Sequence, residues 1–393
     1  MSAHSQTYFK DRLYYALLAA GTLVALAGLY AVYMMEHHGH IVTGMNNQIV
    51  WGLPHVFAIF MIVASSGVLN VASIGSVFGK SDYKARAPLA GLLSIALLAG
   101  GLTVLMLDLG RPDRIIVAAT NYNITSMFAW NVLLYSGMFA FVAVYLWTMM
   151  EQRMNPWSKT AGLVVFAWRF ILTTGTGLIF AFLVARQAYG SALLPPLFIV
   201  ASFAWGMAVF LAVQAAMHAW NGRVLDPAIL HRMKNLLGVF VIGTLYLVAA
   251  YHLTNLYFAH QSGFERFILV EGGAYPKLFW WGYGVLGSIL PLLLIYLPRQ
   301  GKPIHAVAAS LLVILGGFAF LYVFIIGGQA YPLNIFPGFE ASSSFGDGKV
   351  ASYCPSRYEY LLGFGGLSVA FIITLVSVRV LRFMPQDKPH VAD

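Results

Sequence analysis

Ten apolar stretches, each about long enough to cross a bilayer, constrain this sequence more than any other feature. A membrane-spanning helix needs about 20 mostly apolar residues, and here 60% of the residues are hydrophobic while 9% are charged. The pattern predicts an all-α polytopic membrane protein with about ten transmembrane helices. We predict spans at 12–36, 50–78, 88–107, 124–150, 160–187, 191–219, 235–258, 277–298, 304–328 and 357–381.

The basic residues between these spans fall mainly on one side. If each span crosses once, fifteen Lys and Arg lie on the side of the two termini, seven lie on the other side, and Arg169 alone lies inside a span. The positive-inside rule therefore predicts that both termini are cytoplasmic. Basic loops beside anionic lipid account for the net charge of +9, so the charge implies no nucleic-acid partner.

The cysteine and histidine content bears on the cofactors of this protein. Cys354 is the only cysteine, which excludes an intrachain disulfide, a CxxCH haem attachment and an iron–sulfur cluster held by this protein alone. A b-type cytochrome usually has two histidines on each of two helices, whereas His55, His218 and His252 are each alone on their span. We therefore predict no haem and no iron–sulfur cluster in this chain.

The order of the spans suggests how the helices group within a single integral membrane domain, 1–393. Spans two to five (50–187) and spans six to nine (191–328) begin at the same face of the membrane. They are predicted to form two four-helix bundles, with 12–36 and 357–381 as peripheral helices. No strong sequence repeat relates the two sets, so this prediction rests on topology and on the family resemblance given below.

His55 is the first candidate for chemistry. It lies in WGLPHVFAIFM, about one turn inside the outer end of span two. Ionisable groups within a bilayer are rare and are often functional. A neutral imidazole there can accept a proton or bind a quinone carbonyl, because histidine titrates near physiological pH. The alternative is an interfacial histidine bonded to a neighbouring helix.

Asp108 is the second candidate, in the segment LDLGRPDR that closes span three at the same face. Arg111 follows three residues later, and Gly110 and Pro112 interrupt the helix there. A carboxylate held by a guanidinium can orient a polar headgroup or pass protons. An ordinary ion pair at a helix end fits the same spacing.

Further polar residues fall into two sets by depth. One set approaches the outer ends of their spans at about the depth of His55, and it extends the predicted outer site: Tyr251, His252, Arg186 and Gln329. The other set lies deeper and suggests pieces of a proton path: Arg169, Thr173, Thr176, Gln214 and His218. Interhelical hydrogen bonding explains the deeper set equally well.

A cluster of possible metal ligands ends span one at Glu36, His37, His38 and His40. Its spacing is compatible with a metal ion. Polar side chains at the end of a span commonly extend towards water, however. We therefore predict no metal site.

Three segments in order resemble the NrfD/PsrC family of polysulfide-reductase membrane subunits. They are WGLPHVFAIFMIVASSGVLNVASI, LDLGRPDR and IIGGQAYPLNIFPG, and the resemblance covers about residues 45–380. The length and the GGQAYPLNIFPG segment are most similar to the larger, ten-helix HybB/HmcC branch. That branch includes the membrane subunits of hydrogenase-2, the Hmc complex and alternative complex III. The run TGTGLIFAFLVARQAYG looks most like the DsrP group of the DsrMKJOP complexes of sulfur metabolism.

The resemblance implies a haem-free subunit of the bacterial or archaeal cytoplasmic (inner) membrane. Such a subunit exchanges electrons between menaquinone or ubiquinone and a periplasmic ferredoxin-like iron–sulfur subunit. A multihaem cytochrome and further membrane subunits are implied as additional partners. His55 lies where the family resemblance leads us to expect a quinone ligand, and Asp108 and Arg111 match the D-L-G-R-P element. We predict His55 and Asp108 as the catalytic pair.

Two other classes of function remain open from the sequence. A secondary transporter binds substrate near the midplane, often at broken helices, and Pro195-Pro196, Pro291 and the Gly175-Thr176-Gly177 run are candidate breaks. A purely structural membrane anchor, with quinone handled by another subunit, is the second. A proton path through Arg169 would add electrogenic turnover to the electron-transfer interpretation.

Overall fold

The structure is a computed structural model that describes residues 11–223, 225–297, 303–333, 348–381 and 383. These residues are all-helical, with no strand among them, which confirms the predicted fold class. Ten of their helices are long and apolar enough to cross a membrane. In chain order, α1 to α10 are Asp11–His38, Leu53–Ser76, Ala87–Leu107, Met127–Met150, Ser158–Ala181, Leu194–Trp220, Pro227–Tyr257, Ala274–Tyr296, Pro303–Ala330 and Arg357–Leu381.

Two helix boundaries differ from the sequence prediction by six residues or more. Helix α7 begins at Pro227 instead of 235, because Asp226 caps it by accepting a 2.8 Å hydrogen bond from the Ala228 N–H. Proline suits that first helical position, where the backbone N–H has no intrahelical partner. Helix α5 ends at Ala181 instead of 187, and the turns that follow it include Arg186.

The ten helices contact each other as two rings and a peripheral pair. Helices α2, α3, α4 and α5 each touch the next, and α5 returns to α2; α6 to α9 close in the same way. Helices α1 and α10 pack on each other, and α10 also packs on α3. Helix α2 is buried along its length except at His55, Ile74 and Ser76, which are partly exposed.

The two rings meet where α2 crosses α6, and glycine makes the crossing close. A methyl group added at Gly67 would overlap the Ser202 carbonyl, and one added at Gly206 would overlap the Gly67 backbone. Small residues allow helices to approach to backbone contact in a membrane, where van der Waals packing is the main attraction. This crossing fixes α2 between the two rings.

Connections alternate between the two ends of the helices. We call the end that includes the following connections the His55 face: 39–52, 108–126, 182–193, 258–273 and 348–356. Short helices occur within them at Ile115–Thr120 and Ala259–Arg266. A further one, Ser81–Lys84, lies at the opposite face.

Two of the helix breaks on which a transporter interpretation depended are absent from these helices. Helix α5 continues through Gly175–Gly177 to Ala181, and Pro195 and Pro196 lie in the first turn of α6. A proline is tolerated there because the first N–H groups of a helix have no intrahelical partner. Pro291 lies in α8, directly after a π-helical stretch, Leu278–Ile289.

Candidate functional site

The beginning of α2 and the end of α3 bring His55 and Asp108 together. His55 Nδ1 lies 2.8 Å from Asp108 Oδ2. Helix α3 ends at Leu107, and Gly110 then adopts a left-handed conformation with φ of 71° that turns the backbone away. Neighbouring antiparallel helices place the first turn of one beside the last turn of the other. The sequence prediction of a shared site for these two residues therefore has a direct geometric basis.

The pair is buried and has free hydrogen-bonding capacity. The Asp108 side chain is 1% exposed and that of His55 is 14% exposed. Nδ1 of His55 and Oδ2 of Asp108 face each other in this contact, and among the described residues Asp108 Oδ1 has no hydrogen-bond partner. Buried polar groups without partners are uncommon. The arrangement fits a ligand that presents hydroxyl or carbonyl groups.

An aromatic wall adjoins the pair. The Trp51 and His55 rings stack, with centroids 5.9 Å apart and an interplanar angle of 25°. Trp51 also packs edge-on against Phe180 at 5.7 Å and lies 6.2 Å from Phe128. Sites for cofactor-sized molecules are mostly apolar with a few placed polar groups, and this corner of the first ring has that composition.

His40 connects Asp108 to the surface. Its Nε2 donates to the Asp108 backbone carbonyl at 3.1 Å and lies 3.9 Å from Asp108 Oδ1. The His40 side chain is 33% exposed, and a cavity of about 460 Å³ lies here, lined by His40, Ile41, Met45, Asn46, Asn47, Val50, Asp108 and Leu109. Sequence reasoning noted His40 only as a possible metal ligand and missed this contact.

The other residues of that histidine cluster lie apart from the pair. His37 stacks on Tyr33 within α1, with ring centroids 5.6 Å apart. No group of three or more potential metal ligands occurs in the described part of the protein. His40 is thus the member of the cluster that contacts the candidate site.

The predicted pairing of Asp108 with Arg111 is wrong. The Arg111 guanidinium instead donates to both carboxylate oxygens of Asp113, at 3.1 and 3.2 Å, and both side chains are exposed. This hydrogen bonding lowers the pKa of Asp113. The reason is the turn at Gly110, after which the backbone forms a short 3₁₀ turn from Pro112 to Arg114 on the surface. Asp108 precedes that turn and points into the protein.

The Gln329 side chain is fully hydrogen-bonded within the protein, and its predicted contact with a quinone stays a prediction. Its side-chain Oε1 accepts from the Val50 and Trp51 N–H groups, both at 3.0 Å. Its Nε2 donates to the carbonyls of Trp51 at 3.0 Å and Ile325 at 2.8 Å. These four bonds use the amide's two donors and its two acceptor lone pairs. Gln329 belongs to the wall behind Trp51.

Arg186 is engaged by the same segment. Its guanidinium donates to the carbonyls of Gln48 at 2.7 Å and Gln329 at 3.0 Å. Burial lowers the pKa of Arg186. The structure therefore does bring Arg186 and Gln329 close to the His55 site, but through backbone carbonyls and Trp51.

Tyr251 and His252 form a separate buried cluster in the second ring. His252 Nδ1 lies 2.6 Å from Glu265 Oε2, and Asn255 donates to Glu265 Oε1 at 2.7 Å. The Tyr251 hydroxyl donates to the Ala188 carbonyl. The adjoining cavity is about 10 Å³, smaller than a quinone ring, and the contact of Tyr251 and His252 with a headgroup stays a prediction. Sequence reasoning missed Glu265 as the partner of His252, although it is one of two carboxylates in the connection that follows α7.

The deeper polar residues are only partly brought together. Arg169 donates to Asn70 Oδ1 at 2.7 Å and to the Ser66 carbonyl at 3.2 Å, both on α2. Thr173 donates to Ser66 Oγ at 2.8 Å. This cluster joins α5 to α2 deep within the first ring. Asn70 and Ser66 are partners that the sequence analysis did not identify.

Thr176 and His218, which also belong to the predicted proton path, each bond to a backbone carbonyl of their own helix. Thr176 donates to the Leu172 carbonyl at 3.1 Å, and His218 Nδ1 donates to the Gln214 carbonyl at 2.9 Å. The side-chain amide of Gln214 is buried and has no hydrogen-bond partner in the described part of the protein. A continuous path through these residues stays a prediction.

Comparison with known proteins identifies one family. The family described as "Polysulphide reductase, NrfD" matches residues 41–332. The sequence is 28% identical to the Hdr-like menaquinol oxidoreductase integral membrane subunit of Archaeoglobus fulgidus, over 95% of this protein and 94% of that one. It is 23% identical to the menaquinone reductase integral membrane subunit of Nitratidesulfovibrio vulgaris, over 92% and 89%. It is 24% identical to the protein NrfD of Escherichia coli, over 71% and 94%.

Proposed function

This chain belongs to the polysulphide reductase NrfD family, and we propose that it is the quinol-interacting membrane subunit of an oxidoreductase complex, with His55 and Asp108 at its quinone site. The observation on which this rests is the buried His55–Asp108 pair, whose side-chain atoms have hydrogen-bonding capacity to spare beside the Trp51 ring. The names of two similar proteins refer to menaquinol or menaquinone, which supports menaquinone over ubiquinone as the substrate.

A bound quinone supplies the redox chemistry, the uptake or loss of two electrons and two protons. The protein orients the headgroup and handles the protons. Because His55 Nδ1 faces Asp108, its Nε2 is the ring nitrogen that can accept a hydrogen bond from a quinol hydroxyl or donate one to a quinone carbonyl. The Asp108 carboxylate stabilises the imidazolium that forms when Nε2 takes a proton, as an acidic partner does for a general-base histidine.

Proton exchange with water takes place through Asp108 and His40. Asp108 Oδ1 lies 3.9 Å from His40 Nε2, and His40 lines the cavity of about 460 Å³ at the His55 face. One intervening water or a small side-chain movement closes that distance to a hydrogen bond. This route replaces Arg111, which the structure turns towards Asp113.

The orientation and the partners belong to the same proposal. The excess of Lys and Arg on the side of the termini supports cytoplasmic termini and a periplasmic His55 face. A periplasmic ferredoxin-like iron–sulfur subunit then receives or delivers electrons at that face, with a multihaem cytochrome and further membrane subunits beyond it. The TGTGLIFAFLVARQAYG run supports the DsrP branch and a role in sulfur metabolism.

The test is binding of a fluorescent quinol analogue to the full-length protein in lipid nanodiscs. We expect saturable quenching of 2-heptyl-4-hydroxyquinoline N-oxide that the His55→Ala substitution weakens about tenfold or more, since a hydrogen bond to a buried group is lost. The matched control is His231→Ala, because His231 bonds to Asn235 on α7 near the opposite face. No saturable quenching by well-folded protein, or equal weakening by both substitutions, would reject the proposed site.

A further inference from the structure

Three residues from three separate parts of the sequence converge on the segment that precedes α2. Gln48 lies in that segment, Arg186 follows α5, and Gln329 ends α9. We propose that Gln48, Arg186 and Gln329 are positioning residues that hold Trp51 against His55 and thereby set the geometry of the quinone site. This inference rests on the proposed function and adds residues that do not themselves touch the quinone.

The backbone of residues 50 and 51 depends on Gln329. Residues 46 to 49 satisfy part of their own backbone, because Asn46 Oδ1 accepts from the N–H groups of Gln48 and Ile49, at 2.9 and 2.8 Å. The backbone groups of the next two residues are bonded to a side chain at the end of α9 instead. The Val50 N–H, the Trp51 N–H and the Trp51 carbonyl are all bonded to the single amide of Gln329, each at 3.0 Å.

Reciprocal contacts fix Gln329 in turn. Gln48 Nε2 donates to the carbonyls of Gln329 at 3.1 Å and Ala330 at 3.0 Å. The Arg186 guanidinium bridges the Gln329 and Gln48 carbonyls, at 3.0 and 2.7 Å. Gln329 is 1% exposed and Gln48 is 5% exposed. Buried and mutually bonded, these side chains leave the segment little freedom to shift.

The position of Trp51 matters because its ring lies on His55. The two rings stack at 5.9 Å, and Phe180 closes against the indole at 5.7 Å. If residues 50 and 51 moved, the indole would leave the imidazole, and His55 would lose the wall that keeps its Nδ1 facing Asp108. Sites held about 1 Å out of place lose function even when every chemical group is present.

These three positioning residues also join the two rings of helices. Gln329 ends α9 of the second ring, whereas Trp51 and His55 begin the first ring. The Tyr189 hydroxyl adds to the attachment by donating to the carbonyls of Phe324 at 3.2 Å and Ile325 at 3.0 Å on α9. A displacement of the end of α9 would therefore reach His55 through Trp51.

The experiment compares Gln329 variants of the full-length protein in lipid nanodiscs, with 2-heptyl-4-hydroxyquinoline N-oxide as the probe. Gln329→Leu keeps the approximate size of the side chain and removes all four hydrogen bonds, so we expect binding about tenfold weaker. Gln329→Glu retains the side-chain oxygen that accepts from the Val50 and Trp51 N–H groups, and we expect it to recover affinity to within about threefold of the wild type.

The matched control is Gln187→Leu, which replaces a buried glutamine next to Arg186 whose Oε1 has no hydrogen-bond partner among the residues that the structure describes. We expect wild-type affinity for it. Gln329→Leu binding as well as Gln187→Leu would overturn the inference, and so would Gln329→Glu binding as weakly as Gln329→Leu when both are folded. These outcomes leave the proposed function standing if the wild type binds the probe and His55→Ala binds it more weakly.

A second variant covers the case in which Gln329→Leu does not fold. Arg186→Gln removes the bridge between the Gln48 and Gln329 carbonyls and leaves the Gln329 amide in place. We expect several-fold weaker binding in a protein that still folds, and wild-type affinity would overturn the inference. Absence of probe binding to the wild type would reject the proposed function, and this inference with it.

Discussion

His55 Nδ1 and Asp108 Oδ2 lie 2.8 Å apart, although 52 positions separate the two residues in the sequence, and the carboxylate is almost fully buried. The pair closes the end of the first ring where α2 begins and α3 ends. An imidazole next to a buried carboxylate is well suited to accept a proton from a ligand at its other nitrogen. Proton acceptance at His55 is therefore expected to require Asp108 as well.

Asp108→Asn and His55→Gln should each lower quinol turnover by about 10² or more, the usual contribution of a positioned general base with its partner. The double variant should lose little more than either single one, because groups that act as a unit are not additive. Steady-state turnover of quinol by the assembled complex measures this. Losses that simply multiply would show that the residues act independently.

His40→Gln should lower turnover less than the His55 and Asp108 variants do, on the order of tenfold. The reason is that His40 receives the proton only after the general base has accepted it. The loss should be relieved by small permeant buffers that replace the missing imidazole, because the cavity at His40 opens at the surface. The control is His37→Gln, whose ring stacks on Tyr33 away from the site. An effect of equal size in both variants would exclude this route.

Arg111→Ala should change turnover by no more than about twofold, as is usual for an exposed position. Arg111 pairs with the exposed Asp113 and not with Asp108. Its loss should raise the pKa of Asp113 back towards the ordinary value, because the hydrogen bond from Arg111 lowers it. A loss of turnover close to that of Asp108→Asn would instead restore the Asp108–Arg111 pair suggested by the sequence.

Gly67→Val should destabilise the protein by about 1–3 kcal/mol or more, through overpacking at the crossing of α2 and α6. The side chain would collide with the Ser202 carbonyl, which cannot move without shifting α6. Thermal unfolding in detergent measures the effect. Gly284→Ala is the control, because the nearest atom to its added methyl group is 3.5 Å away; equal shifts in both variants would contradict a special role for the crossing.

Glu359→Gln should lower the pKa of Tyr353, which burial raises first and the adjoining carboxylate raises further. Tyr353 accepts from the Leu53 N–H at the start of α2 and donates to Glu359. A raised tyrosine pKa contributes stability that is fully present below the ordinary value of 10.0 and lost as the pH rises above it. The variant should therefore lose less stability between neutral and alkaline pH than the wild type does. Tyr353→Phe, which has no hydroxyl to titrate, supplies the baseline for both the ultraviolet titration and the unfolding curves.

The sequence was enough to identify several parts of the site. A histidine one turn into a span and a carboxylate at the end of the next span must lie at the same face, since consecutive spans run in opposite directions. This rule places His55 and Asp108 at one face, and the family resemblance then selected them as the catalytic pair. The position of Arg111 does not follow from the rule, because spacing along the sequence says nothing of the turn at Gly110 that sends Arg111 to the surface.

The same limit explains the partners that were missed. Glu265 binds His252, Asn70 binds Arg169, and Glu359 binds both Tyr353 and the Gly44 N–H at 2.8 Å. Most of these pairs join different helices or connections, and the sequence does not show which residues of two such elements lie opposite each other. Depth in the membrane can be inferred from a span, but the side of the helix that faces a given neighbour cannot.

The sequence by itself determined that this protein crosses a membrane about ten times and has no cysteine set for a cluster, because the length and polarity of each span are local properties. Three segments in order also identified its family. Only the tertiary structure decided which polar atoms meet: His40 beside Asp108, and Gln329 behind Trp51. Those contacts depend on how helices distant in sequence rotate and cross, which the close approach of Gly67 and Gly206 helps to set.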